Sequence, residues 1–248
     1  MGRKVAIIGL VAFVSLALVA RVDAQKVADE RGRREALALF RTGEKFLLEE
    51  QFDKAVDSFA KAIKEDSLLT VAHYEMGQAY MNLRRFDDAA KAYEGCIEAT
   101  RTLHALQENQ QFEVEKRRDA EIREMRETIL VLQHSGRQLQ ATQAEQHLHD
   151  LEHQRTSMGG PFRPPAEVLL ALGSAHFKAG DRDAAEAEWK AAADVNPKLG
   201  EAHNNLAVVY MRTDRLDAAA QELKLAEKAG FRVNPQFKED LKKAMSRP

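Results

Sequence analysis

The chain of 248 residues has one cysteine, six prolines, one tryptophan and four tyrosines. A single thiol closes no intramolecular disulfide, so the fold must rest on packing. So few prolines leave long stretches free for helix, which the abundance of Ala, Leu, Glu, Lys and Gln favours. No Val/Ile/Thr-rich run alternates as a strand does. A charge excess of one sign is also lacking. Against 37 Lys and Arg stand 39 Asp and Glu, a net charge of −2, so no basic surface points to nucleic acid as a partner. A Gly-rich phosphate loop, a nucleophile elbow and a framed carboxylate pair are missing too, so neither an enzyme nor a cofactor is expected. What remains is a chain that is 44% hydrophobic, enough for a core.

One long apolar run is present. Residues 5–20, "VAIIGLVAFVSLALVA", follow Arg3 and Lys4 and precede Val22 and Ala24, small residues at −3 and −1 of a cleavage site. Residues 1–24 therefore read as a signal peptide, with the mature chain starting at Gln25 in the periplasm or secreted space. The run is shorter than the ~20 residues of a membrane span, so no stable insertion is expected after cleavage. A retained anchor is the alternative.

The rest is organised by a repeat. Gly43 and Gly77 are 34 residues apart, and so are Gly173 and Ala207. Three residues after these small anchors stand Phe46, Tyr80, His176 and Tyr210. Twelve after them stand Ala55, Ala89, Ala185 and Ala219; sixteen after, Phe59, Tyr93, Trp189 and Leu223; nineteen after, Ala62, Cys96, Ala192 and Ala226. Cys96 thus occupies a small apolar position rather than that of a reactive thiol. Register and spacing recur together in "RTGEKFLLEEQFDKAVDSFAKAI", "EMGQAYMNLRRFDDAAKAYEGCI", "ALGSAHFKAGDRDAAEAEWKAAADVNP" and "EAHNNLAVVYMRTDRLDAAAQELKLAEKAG". This pattern resembles the tetratricopeptide repeat, a 34-residue helix–turn–helix. The resemblance implies an all-α solenoid in two pairs of repeats, residues 36–103 and 166–233, after a linker at 25–35. The small residues are expected where helices cross closely. His176 and Arg182 depart from the family pattern, and only the third copy keeps its terminal proline, Pro197. A final helix near residues 235–245, with Phe237, Leu241 and Met245 as its apolar stripe, would cap the array within residues 234–248.

Between the pairs lie residues 104–165. Continuing the register would put Gln111, Arg123 and Leu130 at small positions, so no degenerate repeat fits. Instead Ile122, Met125, Ile129 and Leu132 are spaced as a helical seam, and Ala141, Ala144, Leu148 and Leu151 repeat the spacing. Ser135 and Gly136 supply a turn, so a coiled-coil hairpin is expected.

Two clusters invite chemistry. His147, His149 and His153 lie close together, and "HDLEH" matches an inverted zinc-protease pattern. Five residues with three fixed make a weak signal, and solvated positions on a helical arm explain them; no metal site is expected. His73 and His203 share one repeat position and read as core. What remains is the concave groove, which the resemblance implies holds a protein or peptide segment. Its candidate positions are Val71, Tyr74, Gln78, Met81 and Asn82 in the second repeat, and Glu201, Asn204, Val208, Met211 and Arg212 in the fourth. Asn205 resembles an asparagine common in this family. Phe40, Glu44 and Leu47 in the first repeat and Leu170, Ser174 and Phe177 in the third complete the surface. Some members clamp a C-terminal carboxylate with Lys and Asn; Phe40 and Glu44 stand at the first of those places, which argues against that mode. The expected role is a non-enzymatic interaction adaptor, the hairpin carrying a second partner. The alternative is an architectural protein that self-associates through the hairpin.

Overall fold

The computed structural model describes residues 28–153 and 160–246. The signal peptide expected at residues 1–24 lies outside them. Ten helices occur among the described residues, and no strand. Four helix pairs form the repeats: α1 (Glu30–Leu48) with α2 (Phe52–Glu65), α3 (Thr70–Asn82) with the start of α4 (Phe86–His134), α6 (Ala166–Ala179) with α7 (Arg182–Val195), and α8 (Gly200–Arg212) with α9 (Leu216–Lys228). Between α4 and α6 comes α5 (Gln138–His153), and α10 (Pro235–Met245) closes the series.

Local chemistry sets the helix starts. The Asp29 carboxylate accepts from the Gly32 N–H at 2.8 Å, and Arg31 pairs with Glu35 one turn on at 2.9 Å. That cap starts α1 at Glu30, so residues 30–35 are helix and not the linker expected there. Asp181 caps α7 through the Ala184 N–H, and Asn234 caps α10 with Pro235 behind it. Inside each repeat the chain turns through one residue of positive φ, seven after the anchor: Glu50, Arg84, Gly180 and Asp214. Only the third repeat uses glycine at this left-handed position.

The small anchors face a partner within their own repeat. A Cβ on Gly43 would stand 2.5 Å from the Phe59 ring, one on Gly77 2.5 Å from Tyr93, and one on Gly173 2.6 Å from Trp189. In the fourth repeat the anchor is Ala207 and the facing residue is Leu223, both buried. An aromatic ring excludes even a methyl group, whereas leucine admits one.

Three linked cores run through the repeats. Ala55, Val56, Phe59 and Ala79 join the first repeat to the second. Tyr93 and Cys96 of the second pack with Val168, Leu172 and Ala175 of the third. Trp189, Leu206, Tyr210 and Leu223 join the third to the fourth, with Leu241 and Phe237 of α10 closing the end. Met245 is 45% exposed and drops out of the expected capping stripe, because the helix ends there and Ser246 follows as its cap. The second and third repeats share a core across the interruption.

Residues Leu103–Phe162 form a second compact unit. Within it α4 and α5 run antiparallel about a turn at Gly136, with Gln133 donating to Glu145 at 2.9 Å and Arg126 paired to Glu152 at 2.7 Å. Ile129 and Ala141 are buried, and Ile122, Met125, Leu132, Ala144 and Leu148 are half-buried. The Leu151 side chain lies outside the described residues.

Gly77→Ala is expected to destabilise the fold by about 1–2 kcal/mol. Overpacking of about 1–3 kcal/mol is offset only in part by alanine's helix propensity. Tyr93→Leu alone leaves a cavity and also destabilises. The double variant, which copies the Ala207–Leu223 pair, loses less than the sum of the two. Denaturant melts of the four proteins measure this coupling, and strict additivity would refute the facing pair.

Candidate peptide groove

Successive first helices α3, α6 and α8 present residues of equivalent repeat position side by side. Between them lies a cavity of about 410 Å³, lined by Tyr74, Gln78 and Met81 of α3, Glu167, Leu170, Ala171 and Ser174 of α6, and Leu199 and Glu201 at the start of α8. Tyr93, from the second helix of its repeat, lines it as well. A second cavity of about 260 Å³ is lined by Ser174, Phe177, Lys178, Glu201, Asn205 and Val208, with Trp189 from α7. Ser174 and Glu201 belong to both, so the two cavities adjoin.

The walls are held by contacts beneath them. The Tyr74 ring packs on Tyr93 at 5.6 Å between centroids, Phe177 on Trp189 at 5.5 Å, and Phe40 on Phe59 at 5.6 Å. The Trp189 Nε1–H donates to the Leu170 carbonyl at 3.1 Å, fixing α7 to α6. Gln78 donates to the Tyr74 hydroxyl at 3.1 Å, and Asn82 to the Gln78 carbonyl at 2.9 Å. Burial holds the Tyr93 phenol protonated well above its ordinary range.

Of the residues singled out from the sequence, Tyr74, Gln78, Met81, Asn205 and Val208 line the cavities, together with Leu170, Ser174, Phe177 and Glu201. Asn82 is exposed at the end of α3, and Val71 is 47% exposed. Asn204 is half-buried and lines neither cavity, while Met211 packs against the third core. The Arg212 guanidinium lies over the Phe177 ring at 5.5 Å. The sequence reading misses the floor residues Tyr93 and Trp189, although their recurrence sixteen residues after each anchor is visible there. It also misses Glu167, which stands 34 residues before Glu201.

The two core histidines are packed as polar spacers. The Nε2–H of His73 donates to the Ser67 carbonyl at 3.1 Å, and burial lowers its pKa. His203 sets Nδ1 2.7 Å from Glu222 and Nε2 3.2 Å from the Pro197 carbonyl. Cys96 is buried, and that burial raises its thiol pKa, away from the reactive thiolate. Among the described residues no group of three or more His, Cys, Asp or Glu is placed to hold a metal; the His147 and His153 side chains lie outside them.

With this geometry in hand, comparison with known families decides the repeat's identity. Tetratricopeptide repeat profiles match residues 71–102 and 170–230. Both stretches are tetratricopeptide repeats. No curated protein matched. Among solved structures, the first tetratricopeptide domain of Spaghetti, bound to an HSP90 peptide, aligns at 14% identity and a TM-score of 0.46, covering 75% of this chain and 97% of that one. PilW, a type IV pilus biogenesis factor, aligns at 15% identity and 0.41, covering 88% and 87%. A tetratricopeptide repeat protein of Thermus thermophilus aligns at 20% identity and 0.34, covering 85% and 98%. No helix among the described residues is long and apolar enough to cross a membrane.

The third and fourth repeats of this tetratricopeptide protein are also tied by charge. Glu186 receives Arg215, with one bond at 2.9 Å, and Lys190 at 2.6 Å. Hydrogen bonds from Arg215 lead the effects that hold its carboxyl down to about 2, from an ordinary 4.5. A depressed pKa stabilises the fold fully above the unfolded value, and that contribution fades as pH falls through about 2. Glu186→Gln should therefore melt below the parent protein at pH 6, with the gap closing as pH drops from about 4.5 toward 2. Melting curves across that window check it, and a gap independent of pH would show that charge is not the cause.

Proposed function

We propose that this chain is a non-enzymatic protein-interaction adaptor of the cell envelope or secreted space, holding a segment of a partner protein in its groove. Tetratricopeptide repeats are interaction modules, and the supporting observation is the adjoining pair of cavities. First helices of three successive repeats build them, combining apolar side chains such as Met81, Leu170 and Val208 with polar ones such as Gln78 and Asn205. An extended chain needs both: pockets for its side chains and hydrogen-bonding groups for its backbone. The charged and apolar pattern of residues 1–24 supports the exported location.

The triple variant Gln78→Ala/Asn205→Ala/Val208→Ala is expected to lose the partner that the parent protein captures by crosslinking in its native cells. All three side chains are half-buried, so a modest fall in melting temperature is expected, and capture is compared well below it, where both proteins are folded. Undiminished capture would place the interface elsewhere.

One observation favours a second reading, in which the hairpin drives self-association. Phe112, Val114, Leu130 and Val131 are all more than half exposed on α4. Replacing residues 104–160 with a short Gly/Ser linker should leave a cooperatively folded repeat unit, since Tyr93, Cys96, Val168 and Leu172 already share a core. Sedimentation of the parent and the deleted protein separates the readings. A parent oligomer that becomes monomeric on deletion supports self-association, and a monomeric parent rules it out.

A further inference from the structure

We propose that the groove selects a segment carrying apolar side chains around a lysine or arginine, and disfavours acidic segments. The proposal rests on the groove reading above and names the chemistry of its occupant. Across the first two repeats, the five groove positions of each first helix hold no cation. Among them are Leu37, Leu48 and Val71, which are 42%, 86% and 47% exposed. Large apolar groups left this open on one face favour a partner that covers them.

Where the array passes into the third and fourth repeats, the position of Leu37 and Val71 is taken by Glu167 and Glu201. Both carboxylates line the larger cavity, beside Met81 and Leu170. Both are exposed, and neither has an ion-pair partner among the described residues. A carboxylate in the first turn of a helix suits the helix dipole, but Leu37 and Val71 show that the position does not require one. The two cations at groove positions, Lys178 and Arg212, stand at or near the C-terminal ends of α6 and α8, where the dipole favours them. Arg212 is already engaged over Phe177. The chemistry available to a bound segment is therefore a largely apolar stripe, with Glu44 in it, leading to two carboxylates. Lys178 shares the smaller cavity with Glu201, so the carboxylates remain in excess and a basic side chain flanked by apolar ones complements them.

Random dodecapeptides displayed on phage, selected against the full chain, test this. The expected winners are rich in apolar residues and contain Lys or Arg. A synthetic winner should bind Glu167→Gln/Glu201→Gln about three- to tenfold more weakly than the parent protein. Changing its basic residue to Glu should weaken binding to the parent in the same way. Winners rich in Asp or Glu would overturn the proposal. So would winners unaffected by the double variant but weakened by Met81→Ala, and that result would leave the groove reading standing. Winners indifferent to both sets of changes would overturn the groove reading as well.

Discussion

The contact on which the repeats depend is the one between the small anchor and the large residue sixteen positions later. Gly43 lies against Phe59, Gly77 against Tyr93 and Gly173 against Trp189, each too close for a methyl group. This contact sets how near the two helices of a repeat approach. The same large residue also forms part of the groove's floor, since Tyr93 and Trp189 line the cavities. Packing and the proposed binding surface are therefore set by the same side chains. A ring held from behind by a helix backbone and from the side by Tyr74 or Phe177 is a rigid floor. A rigid floor reduces the ordering cost of binding.

Because each repeat contacts only its neighbours, an insertion is tolerated wherever it leaves neighbouring faces free to meet. The interruption here falls in the connection between α4 and α6, which ordinarily needs only a short loop. The residues that must meet are Tyr93 and Cys96 on one side and Val168, Leu172 and Ala175 on the other, and they do. Lengthening a closed loop costs little, about 0.6 kcal/mol per doubling, so stacking across the gap is kept. Helix α4 is continuous from Phe86 to His134, serving the second repeat first and the hairpin afterwards.

That stacking is the feature least legible in the sequence. The 34-residue spacing from Gly43 to Gly77 and from Gly173 to Ala207 reveals each pair, and the anchors then assign helices and groove positions. Spacing fails across residues 104–165, because a register broken in sequence can be intact in space. The spacing thus reveals two pairs, and the core they share is a three-dimensional fact. The start of α1 is misplaced for a local reason. The apolar pattern begins at Ala36, whereas the cap that starts the helix is Asp29, nearly two turns earlier. Groove walls are legible from the first helices alone, but the floor is not, because aromatic residues sixteen positions after an anchor read simply as core.

His73 and His203 show how far a repeat position constrains its residue. Both stand four residues before an anchor, and both rings direct Nε2 at a carbonyl of the preceding turn, Ser67 or Pro197. Their surroundings then differ. In the second repeat the ring fits because Gly95 lacks a side chain; a Cβ there would stand 2.6 Å from His73 Nδ1. In the fourth the matching residue is Leu225, which is 42% exposed, and Nδ1 instead faces the Glu222 carboxylate. Alanine occupies the place of Glu222 in the second repeat, so neither repeat could borrow the other's solution singly. Leu39 and Leu169 hold the same position in the first and third repeats, so the register fixes where the side chain sits; where it is histidine, the residues around it settle how the second nitrogen is accommodated. A repeat array of this kind thus keeps its geometry through compensating pairs, as the Gly–aromatic and Ala–Leu anchors also do, while groove positions outside such pairs, among them those of Leu37, Val71, Glu167 and Glu201, differ from one repeat to the next.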